Sequence, residues 1–300
     1  MSSVALAGFV LAAGKGTRIA ALSRLRPKPL LPVGATTPFA RAVAALREAG
    51  ATRIVANAAH RAADVVDAGR ACGVEVRVEE GGPFGTAGGL AGAREMLGDA
   101  ARIAIWNGDV VADVDLGALL AALDREPGAC AALAVRRFGA KGTGNVGVDA
   151  GGRVVRLRAV SFGDEVHGAD FAAVHVVDRR VVARAPARGC LVGDVYLPML
   201  AEGTELRAVA CVGRWHDVGD PASYLAANVD LLDGAAARVG AGAIVEPGIA
   251  LISATIGAGA RAVGQGALRE VVVWPGCLAR APLSRAIVVD GDEVVEVGAT

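Results

Sequence analysis

The sequence predicts an α/β fold: a mostly parallel, Rossmann-like sheet with helices on both faces, followed by a short C-terminal left-handed β-helix. Between Val4 and Glu80, short apolar runs alternate with segments of helical pattern, which is typical of a parallel sheet covered on both sides. From Gly234 onward, the apolar residues that precede glycine turns are 6, 11, 7 and 10 residues apart. This irregular hexapeptide period is typical of β-helices. We therefore expect one domain over residues 1–233 and a hexapeptide-repeat domain over 234–300.

Composition argues against several classes of protein. With 300 residues and 53% apolar content, the chain is long enough for one large core and a smaller one. The formal net charge is zero, whereas a nucleic-acid surface needs a basic patch, so we expect no nucleic-acid partner. No apolar run reaches membrane-spanning length, and the N-terminal run lacks the basic residues of a leader, so we expect no membrane association. Five cysteines without a CxxC pair predict a reducing, cytoplasmic location.

The chain is organised around Leu11–Val33. This segment begins at the end of the apolar run Val4–Ala13, which reads as a buried strand, and passes into the glycine turn Gly14–Arg18. A strand followed by a glycine turn brings backbone N–H groups and a helix N-terminus together, an arrangement that binds phosphate. Arg18 and Lys28, the latter between two prolines, place positive charge beside it. The segment therefore predicts a phosphate-binding site.

Lysine is rare in this chain, because only three of the 31 basic residues are lysine: Lys15, Lys28 and Lys141. Two of these three lie in the Leu11–Val33 segment. A lysine ammonium is a compact point charge that the planar guanidinium of arginine does not reproduce. Either these positions require lysine, or the distribution is chance.

A second glycine-rich loop spans Gly81–Gly89 and leads into a predicted helix over Leu90–Leu97. Five glycines in nine residues would let the backbone approach a flat ligand closely. The alternative is an ordinary flexible surface loop.

Acidic turns follow two predicted strands. Asn107-Gly108-Asp109 comes after the strand Arg102–Trp106, and a similar turn spans Arg214–Pro221. Ligands of open α/β sheets bind outside the carboxyl ends of the strands, so Asp109 is placed to hold a hard cation such as Mg²⁺. The alternative is that Asn-Gly-Asp is only a turn. Asp115 is expected to cap the next helix, and His175, inside a strand, is expected to be a core or wall residue.

These motifs resemble one family, the sugar-1-phosphate nucleotidyltransferases, also called nucleotide-sugar pyrophosphorylases. The resemblance covers nearly the whole chain and rests on the ordered set LAAGKGTR, PKPLLPVG, FGTAGG, WNGD and WHDVGDP. It is most similar to members that act on N-acetylmuramate, heptose or mannose 1-phosphates. The family implies an enzyme that transfers a nucleoside monophosphate from an NTP to a sugar 1-phosphate, with Mg²⁺ as cofactor.

The resemblance also implies roles for particular residues. Arg18, Lys28 and Asp109 would be catalytic, with Arg18 on the triphosphate and Lys28 at the α-phosphate; Asp109 and Asp217 would bind Mg²⁺. The nucleotide would contact Leu11, Ala12, Ala13, Gly14, Gly16, Thr17, Glu80, Gly85, Thr86, Gly88 and Asn107. The sugar phosphate would contact Lys141, Asn145, Gly147 and Ala173.

The chain departs from the family pattern on the sugar side. Many members carry a Glu-Lys pair that binds the sugar phosphate, but Leu157–Glu165 contains no lysine. That contact is either missing or supplied by Arg156, Arg158 or Lys141. The position expected to be glycine is Ala173, which narrows the predicted sugar pocket.

Other classes of protein fit less well. A dinucleotide-binding Rossmann domain needs a third glycine that the first loop lacks, and Gly16 replaces the Ser or Thr of a Walker A loop. A hexapeptide acyltransferase would need more repeats and a histidine beyond His216; the tail is instead expected to support a homo-oligomer. Two alternatives stay open: a glucose-1-phosphate thymidylyl- or uridylyltransferase, and a catalytically silent homologue that binds nucleotide for regulation.

Overall fold

The protein is described here from a computed structural model, in which residues 5–298 are placed. The helices are α1 Ala20–Ser23, α2 Pro38–Glu48, α3 Ala62–Ala71, α4 Gly85–Gly92, α5 Leu116–Arg125, α6 Arg179–Arg184, α7 Leu197–Ala201 and α8 Pro221–Asp230. Two short 3₁₀ turns span Thr17–Ile19 and Lys28–Leu30, and a π-helical turn spans Leu191–Tyr196. Within residues 5–298, no helix has both the length and the apolar character needed to cross a bilayer.

The strands that precede residue 220 are β1 Leu6–Leu11, β2 Arg53–Ala58, β3 Glu75–Val78, β4 Arg102–Asn107, β5 Val110–Ala112, β6 Ala129–Gly139, β7 Val146–Val148, β8 Val154–Leu157, β9 Val160–Ser161, β10 His167–Asp178, β11 Glu205–Ala210 and β12 Trp215–Asp217. The later strands are β13 Ala237–Val239, β14 Ile244–Val245, β15 Ile249–Ile252, β16 Ala254–Ile256, β17 Arg261–Val273, β18 Leu278–Val289 and β19 Glu293–Glu296.

The chain forms two compact units. Unit 1 consists of Met1–Lys15 and Phe39–Trp215, and unit 2 consists of Gly16–Pro38 and His216–Thr300. These bounds differ from the predicted division at residue 233, because Gly16–Pro38 groups with the C-terminal part of the chain. The assignment of residues 1–233 to catalysis and 234–300 to a repeat domain stays a prediction.

The sheet of unit 1 is mixed. Strands β3, β2, β1 and β4 are parallel neighbours in that order, but β10 runs antiparallel to β4, β6 and β7. The expectation of a mostly parallel sheet is therefore right for these four strands and for the parallel pair β6 and β11, and wrong for the strands that pair around β10. Apolar patterning reports which faces are buried and not which way a strand runs, so the reversal at β10 had no signal in the sequence.

Helices cover both faces of the parallel half, as predicted. Leu6, Ala7, Phe9 and Val10 of β1 are all buried. A Cβ atom on Gly8 would lie 3.0 Å from the Leu46 side chain of α2, whereas the adjacent Phe9 belongs to the core cluster that contains Leu90 of α4. Because neighbouring side chains of a strand point to opposite faces, α2 and α4 lie on opposite sides of β1.

The C-terminal part of unit 2 is built from parallel strands stacked at a regular step. Ala237 pairs with Ala254, Ile249 with Gly266, and Arg261 with Leu278. Each of these pairs is 17 residues apart (254 − 237, 266 − 249 and 278 − 261), close to three hexapeptides. The hexapeptide repeat inferred from the glycine turns stays a prediction, with which this spacing is compatible. Strands β18 and β19 then form an antiparallel hairpin.

Within unit 2, helix α8 contacts both the Gly16–Pro38 segment and the part of the chain that forms the stacked strands. Tyr224 is fully buried, and its hydroxyl donates a hydrogen bond to the Pro32 carbonyl while accepting one from Trp274 Nε1 at 3.0 Å. The Asn228 side chain accepts a hydrogen bond from the Gly34 amide at 2.9 Å. Buried polar groups need such partners, so these contacts explain why the proline-rich segment belongs to unit 2.

Candidate active site

Three of the predicted site residues meet in unit 2. Lys28 Nζ lies 3.2 Å from Asp217 Oδ1, and Arg18 Nη2 lies 3.7 Å from Asp217 Oδ2. The Lys28 side chain is only 9% exposed, whereas that of Arg18 is 69% exposed. A buried ammonium is tolerated only when it is paired, and Asp217 supplies such a partner for Lys28.

The local sequence explains how these side chains are held. Pro27 has an extended backbone, after which Lys28 begins a 3₁₀ turn. Gly16 has φ +63° and its carbonyl accepts a hydrogen bond from Ser23 Oγ at 3.0 Å. A Cβ atom on Gly219 would lie 3.1 Å from Arg18 Nη2, so a side chain there would crowd the guanidinium. Sequence reasoning did not single out Gly219, because the contact joins positions about two hundred residues apart and only the fold reveals it.

In unit 1, the first half of the phosphate loop rests on two buried polar side chains. Asn57 Oδ1 accepts a hydrogen bond from the Ala12 amide at 2.8 Å, and Asn57 Nδ2 donates to Glu79 Oε1 at 2.7 Å. Glu79 Oε2 also accepts from the Phe84 amide at 2.6 Å. Glu79 is buried and supports this loop, a role that the sequence did not indicate, whereas its exposed neighbour Glu80 stays a predicted nucleotide contact.

The carboxyl ends of β1 and β4 coincide, as the strand-end argument requires. Leu11 is the register partner of Asn107, and the Gly108 amide donates to the Leu11 carbonyl at 2.9 Å. Asp109 follows at once and is half-buried. Leu11 and Asn107, both predicted nucleotide contacts, are therefore brought together, and Asp109 lies beside them at the same sheet edge.

The second glycine loop is partly helical, which corrects the prediction of a helix over Leu90–Leu97. Helix α4 begins at Gly85, so Gly85, Thr86 and Gly88 lie in its first half. A Cβ atom on Gly85 would lie 2.2 Å from the Gly189 carbonyl oxygen, and one on Gly88 would lie 2.7 Å from the Ala187 oxygen. Close packing against residues 187–189 therefore requires these two glycines, and it does so without any ligand.

Thr86 is also part of this packing. Its hydroxyl accepts a hydrogen bond from the Leu191 amide at 2.8 Å, at the start of the π-helical turn. The predicted nucleotide contacts of this loop stay predictions.

Arg156 and Glu165 form a buried ion pair below the predicted sugar-phosphate residues. Arg156 Nε donates to Glu165 Oε2 at 2.7 Å, and the two side chains are only 12% and 4% exposed. All five N–H groups of Arg156 have acceptors: both Glu165 oxygens and the carbonyl oxygens of Thr143, Gly144 and Arg158. Arg156 therefore has no hydrogen-bond donor left for a substrate.

The same pair organises the loop that carries Lys141 and Asn145. Glu165 Oε1 accepts a hydrogen bond from the Gly142 amide at 2.8 Å. A Cβ atom on Gly147 would lie 2.6 Å from the Glu165 carboxyl group, so only glycine fits there. Asn145 Oδ1 accepts from the Phe171 amide at 2.8 Å, whereas Lys141 is exposed. The loop that carries the predicted sugar-phosphate residues Lys141 and Asn145, together with the adjoining Gly147, is thus held in place by one ion pair.

The hydrogen bonds of Arg156 hold the pKa of Glu165 at about 2, well below its ordinary value of 4.5. The carboxylate is therefore fully ionised at neutral pH, and it acts as a fixed anion that anchors the loop.

Ala173 has a backbone that favours glycine. Its φ is +59°, a left-handed conformation that costs an alanine about 1–2 kcal/mol. The register between β10 and β6 shifts between Phe171 and His175, so Ala173 lies inside a β-bulge. The left-handed backbone is a physical reason why glycine would suit this position, and alanine occupies it under strain.

His175 is a core residue, as expected. It is 3% exposed, and its Nδ1 lies 3.0 Å from the Tyr196 hydroxyl. Burial lowers its pKa from 6.5 to about 3. The imidazole is neutral at physiological pH, which suits a wall of the core and not a proton-transfer group.

Among residues 5–298, no cluster of three or more His, Cys, Asp or Glu side chains could hold a metal ion by itself. Asp109 and Asp217 belong to different units, and each offers carboxylate oxygens of the kind that hard cations bind.

Known proteins resemble this chain in sequence and in fold. A sequence model described as nucleotidyl transferase matches residues 7–158. Mannose-1-phosphate guanylyltransferase of Mycobacterium tuberculosis is 30% identical over 310 residues, which cover 95% of this chain and 80% of that protein. N-acetylmuramate alpha-1-phosphate uridylyltransferase of Neisseria meningitidis is 38% identical over 115 residues, 37% of this chain and 49% of that protein. The crystal structure of HddC from Yersinia pseudotuberculosis aligns with a TM-score of 0.60 at 18% identity, covering 75% of this chain and 98% of that one.

Replacing Ala173 by glycine should stabilise the protein by about 0.5–1 kcal/mol, because glycine relieves the left-handed strain at a smaller entropic cost. The neighbouring Ala172 has no positive φ and serves as the matched control. Ala172→Gly should destabilise by about 1 kcal/mol through lost rigidity and a lost buried methyl. Denaturant midpoints of both variants measure the difference, and equal destabilisation by the two would contradict the strain argument.

Glu165→Gln should lower the free energy of unfolding at pH 7 by about 2 kcal/mol, because it removes a charge-assisted pair with Arg156. In the wild type, the contribution of Glu165 is complete above pH 4.5 and is lost as the pH falls toward 2. The variant cannot titrate at this position, so its stability should fall less between pH 5 and pH 3. Denaturant unfolding across this range measures it, with the exposed Glu48→Gln as control. Parallel curves for wild type and Glu165→Gln would refute the assignment.

Proposed function

The chain belongs to the sugar-1-phosphate nucleotidyltransferase family, and from that premise we propose that its substrates are GTP and mannose 1-phosphate. The enzyme transfers a nucleoside monophosphate from an NTP to a sugar 1-phosphate and releases pyrophosphate. The proposed products are accordingly GDP-mannose and pyrophosphate.

One observation carries the choice of substrates. The likeness to the mycobacterial mannose-1-phosphate guanylyltransferase extends over 95% of this chain and includes the repeat segment. The N-acetylmuramate uridylyltransferase is more similar per residue but over only 37% of the chain, so we treat UTP with N-acetylmuramate 1-phosphate as the second candidate pair.

In the proposed mechanism, a phosphate oxygen of the sugar 1-phosphate attacks the α-phosphorus in line. The bond between the α-phosphorus and the bridging oxygen breaks, and pyrophosphate leaves with that oxygen and its electron pair. Transfers of this kind need alignment and charge neutralisation more than covalent help from the protein. The backbone of the Leu11–Thr17 loop would hold the triphosphate, Arg18 would bind its phosphates, and Lys28 would neutralise charge at the α-phosphate.

The contacts of Lys28 support its role. A buried ammonium fixed by Asp217 is preorganised, so it need not be ordered again when charge develops on the phosphate oxygens. Arg18 pairs with the same carboxylate but is mostly exposed, which suits a side chain that reorients around a bound triphosphate.

We propose Mg²⁺ as cofactor, with Asp109 and Asp217 as protein ligands. The carboxylates present fit this ion, because Mg²⁺ in such enzymes is bound by one or two carboxylates with substrate phosphates and water supplying the rest. When bound, Mg²⁺ would neutralise phosphate charge and orient the triphosphate.

Gly85, Thr86, Gly88, Glu80 and Asn107 remain our proposed nucleotide contacts. On the sugar side, Lys141, Asn145, Gly147 and Ala173 are the proposed contacts. The buried pair Arg156 and Glu165 supports this set, since it orders the loop that carries Lys141 and Asn145 and packs directly against Gly147.

The remaining proposals concern assembly and location. We propose that the stacked strands β13–β18 form a left-handed β-helix. Their exposed apolar residues, such as Val239 and Ile244, would support a homo-oligomer. Light scattering that gave a 30.0 kDa particle would contradict self-association. The five unpaired cysteines and the use of NTP favour the cytoplasm, which fractionation would test.

An activity panel tests the substrates. GTP, UTP, dTTP and ATP are each combined with mannose, glucose and N-acetylmuramate 1-phosphates, and pyrophosphate release is measured. GTP with mannose 1-phosphate should have the highest kcat/KM. A preference for UTP with N-acetylmuramate 1-phosphate would replace the proposal by the second candidate, and no release with any pair would favour the silent regulatory homologue.

Lys28→Arg tests the requirement for lysine, since it keeps the charge and changes its shape. We expect kcat to fall about a hundredfold, as for the loss of one preorganised donor, with little change in thermal stability. Asp217→Asn should cause a similar loss, while Asp67→Asn, at an exposed ion pair with Arg70, should not. Wild-type kinetics for Lys28→Arg would mean that the rarity of lysine carries no functional information.

A further inference from the structure

A cleft of about 440 Å³ in unit 1 has a feature that the proposed roles leave unexplained. It lies at the carboxyl ends of β6 and β11, which are parallel neighbours. Arg136, Arg137 and Trp215 line it. Strand β6, which lines the cleft, leaves regular geometry at Arg137 (φ +54°), and its neighbour β10 does so at Ala173 (φ +59°). Such conformations persist only where surrounding contacts hold them, and they cluster at ligand sites.

The bulge in β10 leads directly to Arg136. The Ala172 carbonyl lies inside the register shift and accepts a hydrogen bond from Trp215 Nε1 at 2.9 Å. The Arg136 guanidinium lies 3.7 Å from the centroid of the Trp215 ring. Stacking on an aromatic face fixes the plane of a guanidinium while leaving its N–H edges free to bind. The bulge, Trp215 and Arg136 therefore form one rigid arrangement beside Ala173.

Arg136 lacks the anion that such an arrangement would normally hold. Within residues 5–298, Arg136 forms no ion pair, and its buried Nε has no hydrogen-bond acceptor. Partial burial, followed by repulsion from Arg137, lowers the pKa of Arg136 from its ordinary value. Asp170 faces Arg136 in the strand register and raises the pKa of Arg136, but this effect is smaller than the lowering by burial and Arg137. A partly desolvated cation with a fixed plane is suited to a phosphate oxyanion.

We propose that Arg136, oriented by Trp215, binds the phosphate group of the sugar 1-phosphate. The inference deepens the proposed function and rests on it. The two Nη groups would donate in parallel to two phosphate oxygens, a geometry that lysine does not reproduce. Trp215 acts as a positioning residue for the guanidinium.

The other basic residues considered for this contact are less suitable. Arg156 has donated every N–H group within the protein. Arg158 is exposed and its Nη2 lies 3.1 Å from Cys190 Sγ. Lys141 is exposed on a loop, with a flexible side chain whose ordering on binding has an entropic cost. Arg136 alone among these four combines a fixed plane with unused donors.

The test is steady-state kinetics with the NTP and sugar 1-phosphate that the wild type uses. Arg136→Gln should raise the KM for the sugar 1-phosphate about tenfold or more, because charge-assisted hydrogen bonds are lost, and should leave the KM for the NTP within about twofold. Arg136→Lys should be intermediate, since it keeps charge without the planar fork. Trp215→Phe, which keeps a ring and loses the bond to Ala172, should cause a smaller rise. Arg125→Gln, at an exposed arginine ending α5, is the charge-matched control.

Several outcomes would overturn the inference. An unchanged KM for the sugar 1-phosphate in Arg136→Gln, with an active wild type, refutes it and leaves the proposed function intact. Equal increases in both KM values would show a structural role only. A rise in Lys141→Gln but not in Arg136→Gln would assign the phosphate to the lysine. If Arg136→Gln does not fold, Arg136→Lys and Trp215→Phe decide on the same criteria. No turnover by the wild type with any pair would instead reject the proposed function itself, and the inference with it.

Discussion

The burial of the Lys28 ammonium is the constraint that links the two chain segments of unit 2, Gly16–Pro38 and the segment that begins at His216. An unpaired ammonium could not stay in this environment, so Asp217 must lie beside it although 189 residues separate the two along the chain. Further contacts join the same two segments. Arg26 pairs with Asp290 at 2.7 Å and lies 4.7 Å from the Trp274 ring centroid, and Tyr224 bonds to the Pro32 carbonyl. The proline-rich motif is therefore a part of the C-terminal unit, although it lies between β1 and α2 in the sequence.

Sequence reasoning succeeded where the signal is local. The strand before the first glycine turn and the Asp115 cap, which accepts a hydrogen bond from the Ala118 amide, each depend on neighbouring residues. It failed where the cause is tertiary. The residues near β10 do not indicate its antiparallel direction. The start of α4 at Gly85 depends on packing against the Gly189 carbonyl, about a hundred residues away.

Glycine-rich loops show why the site was only partly predictable. From the sequence, the glycines of FGTAGG are explained either by close approach of a ligand or by an ordinary flexible loop. In the fold, Gly85 and Gly88 are required by another stretch of the same chain. The two reasons are compatible, since packing that brings a helix start near a strand end also exposes backbone N–H groups there. They do mean that glycine content by itself cannot identify the ligand-facing residues, whereas buried polar partners such as Asn57 and Glu79 can be found only in the structure.

In a chain with 31 basic residues that are nearly all arginine, composition hides which cations matter, and the hydrogen bonds of each cation reveal it. All N–H groups of Arg156 donate hydrogen bonds within the protein, and Arg180 is bonded to Asp178 and to the carbonyls of residues 127–129. Both arginines therefore have structural roles. Of the three lysines, Lys15 and Lys141 are exposed and only Lys28 is buried, so the argument from lysine rarity applies to that one position. Arg136 differs from Arg156, because Trp215 fixes the plane of its guanidinium while the guanidinium N–H groups donate no hydrogen bonds within the described residues. A cation held rigidly without an internal anion costs stability, and binding of an external phosphate is the physical compensation that this site offers.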